Sequence, residues 1–228
     1  MSKFSTLLSA CLRAGFCLVL LLSAHASHGQ TVKTLKLNFS LEDFDIVSDQ
    51  DGCLTIRSTD PSFRFEEDFN APSLPVKYVK VLIAPDQDYS SVTFSGDETV
   101  VKTGARMLPN PFIVATSETI QPSVHRSTEY PKGVYPENCV KYAGTSIMDG
   151  YKLLSFIVSP FRYDTHSKTI SFFEDLSIQI GLKSRTTKAN SSKGYIGHVM
   201  NDVVRDLAIN GSEIDELYSQ AQVMAKDL

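Results

Sequence analysis

The chain has 228 residues, of which 42% are hydrophobic and 21% are charged, and its formal charge at pH 7 is −4. This composition is typical of a folded globular protein and excludes a disordered one. The mildly acidic balance argues against a nucleic-acid-binding protein, because such proteins hold phosphates with a surplus of Lys and Arg.

Residues 1–26 are predicted to form a secretory signal peptide. Lys3 and Arg13 supply the positive start, residues 14–24 are apolar, and Ala24-His25-Ala26 fits an A-x-A cleavage site. A membrane anchor is the alternative, but the apolar run is short and polar residues follow it. Cleavage removes two basic residues and no acidic one, so the charge falls from −4 to −6. We expect no membrane span after signal removal.

Two cysteines, Cys53 and Cys139, remain in the mature chain. Export places them in an oxidising compartment, where a disulfide between them is allowed. Two buried free thiols are the alternative, and the sequence does not choose between the two. A bridge is excluded if their Cα atoms lie more than about 7 Å apart.

The body of the chain, residues 27–183, is predicted to be built from eight to ten strands. Apolar residues recur there with period two, and turn residues such as Asp149-Gly150 separate the runs. The main predicted strands are 35–39, 53–57, 78–83, 92–94, 112–115, 139–147, 151–158 and 169–180. Short strands with frequent turns and no helical period predict a mainly β fold, an antiparallel sandwich or open barrel.

A polar linker, residues 184–194, is predicted to separate this body from a short helical tail, residues 195–228. In the tail, apolar residues occur at helical spacing, and Asn210-Gly211 predicts a break between two helices. Such an apolar stripe must pack against the body or a partner. We expect it to dock weakly or to stay partly exposed at Val203 and Leu207.

The sequence contains no constellation of catalytic residues. The cysteines and histidines have no local arrangement of a Cys–His pair, and the histidines lack zinc-ligand spacing. Two aspartate-rich segments, 49–52 and 86–88, resemble fragments of calcium loops but lack the downstream glutamate. We therefore predict no enzyme activity, no metal and no cofactor.

One segment, Ser117 to Asn138, is long, rich in proline and without clear periodicity. It contains Arg126, Lys132, one histidine and two tyrosines. Long ordered loops on a sandwich are commonly functional, and this composition favours an exposed, ordered loop.

Several motifs resemble the propeptides of gingipain-type cysteine peptidases over roughly residues 35–212. They are Phe69-Asn70-Ala71-Pro72-Ser73-Leu74-Pro75-Val76, the strand Tyr78 to Pro85, Tyr135-Pro136, the block Tyr151 to Tyr163, the strand Leu176 to Ile180, and Ile209-Asn210. The resemblance implies a sandwich prodomain that lies on a caspase-like catalytic domain, keeps it latent and assists its folding. It also implies a secreted, periplasmic or cell-surface location in a bacterium.

The resemblance further implies that a basic loop residue enters the specificity pocket of the peptidase. The segment after Pro109-Asn110-Pro111, where that residue is expected, contains no Lys or Arg through Ile120. The nearest candidates are Arg106, Arg126 and Lys132. No catalytic domain precedes Leu228 in this sequence, so we expect the chain itself to be non-catalytic.

Two other functions stay open at this point. A β-sandwich that binds carbohydrate or a cell-surface polymer normally presents aromatic side chains, and here Tyr130 and Tyr135 are the obvious set while tryptophan is absent. A structural or adhesion subunit is the third alternative, and no feature of the sequence favours it.

Overall fold

The computed structural model describes residues 30–65, 71–110, 112–114, 123–125, 132–184 and 200–225. The chain divides after residue 30, and Thr31–Leu228 forms one compact unit. The predicted signal peptide and nearly all of the predicted linker lie outside the described residues, so both stay predictions. No helix in the described ranges is long and apolar enough to cross a membrane.

Fifteen strands occur in the described residues, more than the eight to ten predicted. They are β1 (Gln30–Asn38), β2 (Phe44–Ser48), β3 (Leu54–Ser58), β4 (Phe63–Phe65), β5 (Pro75–Ile83), β6 (Gln87–Ser95), β7 (Glu98–Lys102), β8 (Phe112–Val114), β9 (Ser123–His125), β10 (Val134–Tyr135), β11 (Val140–Met148), β12 (Tyr151–Val158), β13 (Phe161–Asp164), β14 (Thr169–Phe173) and β15 (Asp175–Ser184). The helices are α1 (Asn201–Leu207) and α2 (Ile214–Ala225), and single 3-10 turns lie at Leu41–Asp43 and Gly211–Glu213.

Within the described ranges, three larger sheets and two two-stranded pairs make up the body. The sheets have the strand orders β11-β12-β5-β4, β1-β15-β6 and β10-β13-β14-β7, and the two-stranded pairs are β2-β3 and β8-β9. Adjacent strands with a described register run antiparallel. The prediction of a mainly β, antiparallel fold with a short helical tail is confirmed.

The main core lies between these sheets, and β5 shows how the sequence builds it. Val79, Val81 and Ile83 alternate along β5 and are buried in the main core. Leu82, which points to the other face, is buried in a second apolar cluster. Both faces of β5 are therefore covered at its C-terminal end, where Val81, Leu82 and Ile83 are consecutive buried apolar residues.

The hairpin that joins β11 to β12 follows from its two turn residues. Asp149 and Gly150 have φ angles of 51° and 90°. A two-residue turn with positive φ at both positions matches the right-handed twist of the flanking strands. The Asp-Gly dipeptide thus fixes the pairing of Met148 with Tyr151.

The prediction of a single strand over residues 169–180 is wrong, because the chain changes sheets at Glu174. β14 pairs with β13 and β7, whereas β15 lies between β1 and β6. At the corner, the Glu174 carbonyl accepts a hydrogen bond of 2.7 Å from the Phe39 N–H. Consecutive Phe172 and Phe173 are both buried. Without Gly or Pro at the corner, the sequence carries no local signal for this break.

The helical tail packs on the outer face of the β5–β12 pair. Val204, Ile214 and Tyr218 are buried there against Leu82 and Leu153 of the sheet. The tail also pairs with the edge of β5 beyond the end of β4: Ala208 forms a bridge with Lys80, and the Ile209 N–H donates to the Lys80 carbonyl at 2.9 Å. The tail is therefore anchored by burial and by backbone pairing, while Val203 and Leu207 stay partly exposed, as the sequence predicts.

Candidate functional site

The predicted functional loop leaves the body through two fixed arms. β8, which precedes the predicted loop (Ser117 to Asn138), pairs with β9 inside the loop, and Phe112 lies opposite His125. The predicted strand at residues 112–115 is thus present as β8, while the pairing of residues 123–125 was not foreseen. Arg126, one of the three basic candidates, lies outside the described residues.

The first arm, residues 105–110, carries Arg106. Two hydrogen bonds of 2.7 Å join this arm to Leu54. The Leu54 N–H donates to the Arg106 carbonyl, and the Leu108 N–H donates to the Leu54 carbonyl. At the end of the arm, the Asn110 N–H donates to the Ala71 carbonyl at 2.8 Å. Ala105 and Met107 on either side of Arg106 are buried, so the backbone of Arg106 is fixed while its side chain is exposed.

The second arm carries Lys132, whose side chain is also exposed. The neighbouring Gly133 has a φ of 116°, a conformation that an L side chain rarely adopts. Its N–H donates to Thr165 Oγ1 at 2.8 Å, and its carbonyl accepts from the Thr165 N–H and hydroxyl, each at 2.9 Å. One threonine therefore anchors the backbone immediately after Lys132.

The turn between β13 and β14 holds both arms. Thr165 at its start binds Gly133, and the Lys168 carbonyl at its end accepts a 2.8 Å hydrogen bond from the Ala105 N–H. Next to the turn, the Tyr163 hydroxyl donates to the Ala105 carbonyl at 2.9 Å. Arg106 and Lys132, which are 26 positions apart in the sequence, thus flank opposite ends of one turn.

The turn adds exposed basic side chains of its own, which sequence reasoning missed. We call the exposed set Arg106, Lys132, His166 and Lys168 the basic edge. Asp164 at the base of the turn is bound by the turn itself, because the Ser167 hydroxyl donates to its carboxylate at 2.7 Å and the His166 N–H at 2.9 Å. These hydrogen bonds lower the pKa of the Asp164 carboxyl group. The polar run 164–168 predicts a turn, but only tertiary pairing sets it against both arms.

A groove of about 850 Å³ lies beside the second arm and is lined in part by Tyr135, Glu137 and Cys139. Arg162 contacts two residues that line the groove, because its guanidinium donates to the Glu137 carbonyl at 3.4 Å and lies 5.8 Å from the centre of the Phe94 ring. The same guanidinium pairs with Glu98 at 3.0 Å. The Arg162 Nε is buried without a hydrogen-bond partner. Arg162 thus holds the groove wall by packing and charge.

Cys53 and Cys139 are both buried and are free thiols in the structure. Burial raises the pKa of the Cys139 thiol to about 11, despite the nearby Arg162. A buried thiol that stays protonated at neutral pH is a poor nucleophile, because the thiolate is the reactive form. Within the described ranges, no group of three or more His, Cys, Asp or Glu side chains could hold a metal ion.

The fold and this loop architecture can be compared with known proteins. The Propeptide_C25 family model matches residues 21–213. A solved complex of the Porphyromonas gingivalis RgpB pro- and mature domains is similar at 14% identity and a TM-score of 0.55, covering 82% of this chain and 95% of that one.

A structure concerning the zymogenic latency of gingipain K from Porphyromonas gingivalis is similar at 15% identity and a TM-score of 0.50, covering 71% of this chain and 96% of that one. At these identities the likeness to solved structures shows the fold alone. No curated protein sequence matches the chain. The family model, in contrast, covers most of the sequence, and from this match we conclude that the chain belongs to the Propeptide_C25 family and is a non-catalytic, gingipain-type cysteine peptidase propeptide.

Proposed function

We propose that this propeptide keeps a gingipain-type cysteine peptidase latent by covering its active-site cleft, and that it assists folding of the catalytic domain. The observation that carries the proposal is the anchoring of both loop arms to the β13–β14 turn. A loop that is already held in place binds a cleft more tightly, because ordering a loop on binding costs affinity. Membership of the propeptide family supports the same role.

The basic edge supports a specific mode of inhibition. We propose that Arg126 or Lys132 lies nearest the specificity pocket of the peptidase, with Arg106 beside it. A basic side chain suits a pocket lined by carboxylates, because charge-assisted hydrogen bonds are stronger than neutral ones. The exposed Lys132 and the fixed backbone after it are consistent with this role.

Export of the chain by its predicted signal peptide, residues 1–26, forms part of this proposal. It places the propeptide in the periplasm, at the cell surface or outside a bacterium, where peptidases of this type act. The predicted linker, 184–194, and the tail then connect the sandwich to the catalytic domain. Detection of a mature chain that begins near residue 27 in the exported fraction tests this part.

The inhibition itself is tested by titrating the mature chain, residues 27–228, against a purified gingipain-type peptidase. We expect tight inhibition by the wild type and at least tenfold weaker inhibition by R126A/K132A, which corresponds to about 1.4 kcal/mol. The matched control is K36A/K183A, which removes two exposed lysines from β1 and β15. Unchanged inhibition by R126A/K132A removes the loop from the mechanism. No inhibition by the wild type, together with glycan binding, favours a carbohydrate-binding module instead.

A further inference from the structure

The tail buries one side and leaves the other side apolar and exposed. Met200, Val203, Leu207 and Ile209 have exposed fractions of 38%, 48%, 39% and 47%. Met200 directly precedes α1, and Val203 and Leu207 follow it at spacings of three and seven residues, which place the three on one helix face. The neighbouring Val204 is fully buried. The exposed stripe is therefore separate from the side of α1 that anchors the tail.

The sheet adds one exposed apolar side chain on the same side, with Lys80 between it and Leu82. Ile209 is hydrogen-bonded to Lys80 of β5, and Tyr78 lies two residues before Lys80 with 51% of its surface exposed. Tyr78 and Leu82 are four residues apart on one strand and so face the same side of the sheet. That side is the one on which the tail packs. We call Met200, Val203, Leu207, Ile209 and Tyr78 the tail surface.

We propose that the tail surface is a second docking surface for the catalytic domain of the peptidase, distinct from the loop and its basic edge. This inference rests on the proposed function, because it takes its partner from there. Contiguous exposed apolar side chains on a soluble protein commonly mark an interaction site. A few buried anchors carry most of the affinity at protein interfaces, and tyrosines such as Tyr78 are enriched among them.

The charges around the stripe indicate what kind of partner fits it. Asp202 and Asp206 are exposed on α1 next to the apolar residues. A second copy of this chain would bring like charges together across the interface, which is unfavourable. A catalytic domain with an apolar surface bordered by Lys or Arg is complementary. We therefore assign the tail surface to this partner and not to a homodimer.

The geometry of β5 allows one domain to reach both surfaces. The first loop arm contacts the start of β5, where the Ser73 N–H donates to the Leu108 carbonyl at 2.8 Å. The tail contacts Lys80, seven residues farther along. At about 3.3 Å per residue this separation is at most about 23 Å. A small domain is about 30 Å across, so a domain that covers the loop can also contact the tail surface.

The test measures the dissociation constant between the mature chain and a gingipain-type catalytic domain. We expect V203S/L207S to bind at least tenfold more weakly than the wild type. The matched control is V32S/V100S, which changes two valines that are 56% and 57% exposed on β1 and β7. It should change the constant less than twofold. If V203S/L207S does not fold, M200Q/I209T changes the same surface at positions outside α1 and should also weaken binding tenfold.

The failure of this inference is distinguishable from failure of the proposed function. If the wild type does not bind the catalytic domain, both fail. If the wild type binds and the tail variants bind equally well, the tail surface is not part of the interface while the proposed inhibition stands. A wild-type dimer in sedimentation that V203S/L207S converts to a monomer identifies a second copy as the occupant and overturns the inference.

Discussion

Asn210 and Leu82, which are 128 positions apart, form two hydrogen bonds that replace a strand at the edge of β5. The Leu82 N–H donates to Asn210 Oδ1 at 2.8 Å, and Asn210 Nδ2 donates to the Leu82 carbonyl at 2.9 Å. Asn210 is 5% exposed and Leu82 is fully buried. The amide side chain therefore satisfies a buried backbone donor and a buried acceptor that β4, which ends its pairing with β5 at Lys77, does not reach.

Replacing Asn210 with Ala should destabilise the protein strongly. The variant leaves the Leu82 N–H and carbonyl buried without partners, which costs about 1–3 kcal/mol for each unsatisfied group. Urea denaturation monitored by circular dichroism measures the loss. N38A is the control, because Asn38 is exposed and bonds Asp175 at the surface. A loss for N210A no larger than that for N38A contradicts the edge-pairing role.

Replacing Tyr218 with Phe should change how stability depends on alkaline pH. The Tyr218 hydroxyl accepts from the Lys152 N–H at 2.7 Å and donates to the Ile83 carbonyl at 2.8 Å. Burial raises the pKa of this phenol to about 12 from its ordinary value of 10.0. The unfolded chain therefore ionises first, so this stabilisation is complete below pH 10.0 and is lost as the pH rises through about 12.

Denaturation measured between pH 8 and pH 11 checks this prediction. We expect Y218F to be less stable than the wild type at pH 8 and to lose less stability as the pH rises. Y78F is the matched control, because Tyr78 is half exposed. Parallel pH profiles for Y218F and the wild type contradict the proposed titration of Tyr218.

The ion pair between Lys33 and Glu213 should make the tail sensitive to acid. It links β1 to the 3-10 turn before α2. Burial opposes ionisation of Glu213, but hydrogen bonds from Lys33 and Asn210 outweigh it and lower the pKa of this carboxyl group below its ordinary 4.5. The stabilisation is therefore present above pH 4.5 and is lost as the pH falls through the lower, folded-state pKa.

The measurement is stability as a function of pH between 3 and 7 for the wild type and E213Q. We expect the wild type to lose its advantage over E213Q as the pH falls below about 4.5. E216Q is the control, since Glu216 is exposed on α2. A constant difference between wild type and E213Q across this range contradicts the prediction.

Replacing Thr165 with Val should weaken inhibition while the protein stays folded. The hydroxyl that binds the Gly133 N–H and carbonyl is lost, so the second loop arm becomes less fixed. We expect hydrogen exchange at the Gly133 amide to accelerate and the inhibition constant to rise several-fold, with about 1 kcal/mol of stability lost. T55V, at a half-buried threonine on β3, is the control. Faster hydrogen exchange at the Gly133 amide with an unchanged inhibition constant shows that fixing the second arm is not part of the inhibitory mechanism.

Counting thiols distinguishes the two states of Cys53 and Cys139. In the structure, both cysteines are buried free thiols. Burial raises the pKa of the Cys139 thiol to about 11. We therefore expect the native mature chain to react slowly with a thiol reagent at pH 8, and two thiols to react after denaturation without reductant. No reactive thiol after denaturation, with two after reduction, establishes a disulfide in the exported protein.

The sequence alone predicts most of the longer strands of the body, because apolar runs and the turn residues that bound them are local features. Tyr151–Val158 and the turn Asp149-Gly150 have the expected strand and hairpin geometry. The family could also be inferred from the sequence, since short motifs such as Leu74-Pro75 and Ile209-Asn210, and their succession along the chain, are local features. The same holds for the two tail helices, whose buried Val204 and Tyr218 follow helical spacing.

Only the tertiary structure decides where the chain changes sheets and which distant groups meet. At Glu174 the chain passes from one sheet to another, and there the Glu174 carbonyl accepts a hydrogen bond from the N–H of Phe39, the residue that directly follows β1. Thr165 and Asn210 are ordinary polar residues in the sequence. They become anchors because Gly133 and Leu82, 32 and 128 positions away, present unpaired backbone groups to them. Such hydrogen bonds depend on the complete fold. No local sequence pattern indicates which strand edge lacks a neighbouring strand and therefore needs a side chain as its hydrogen-bond partner.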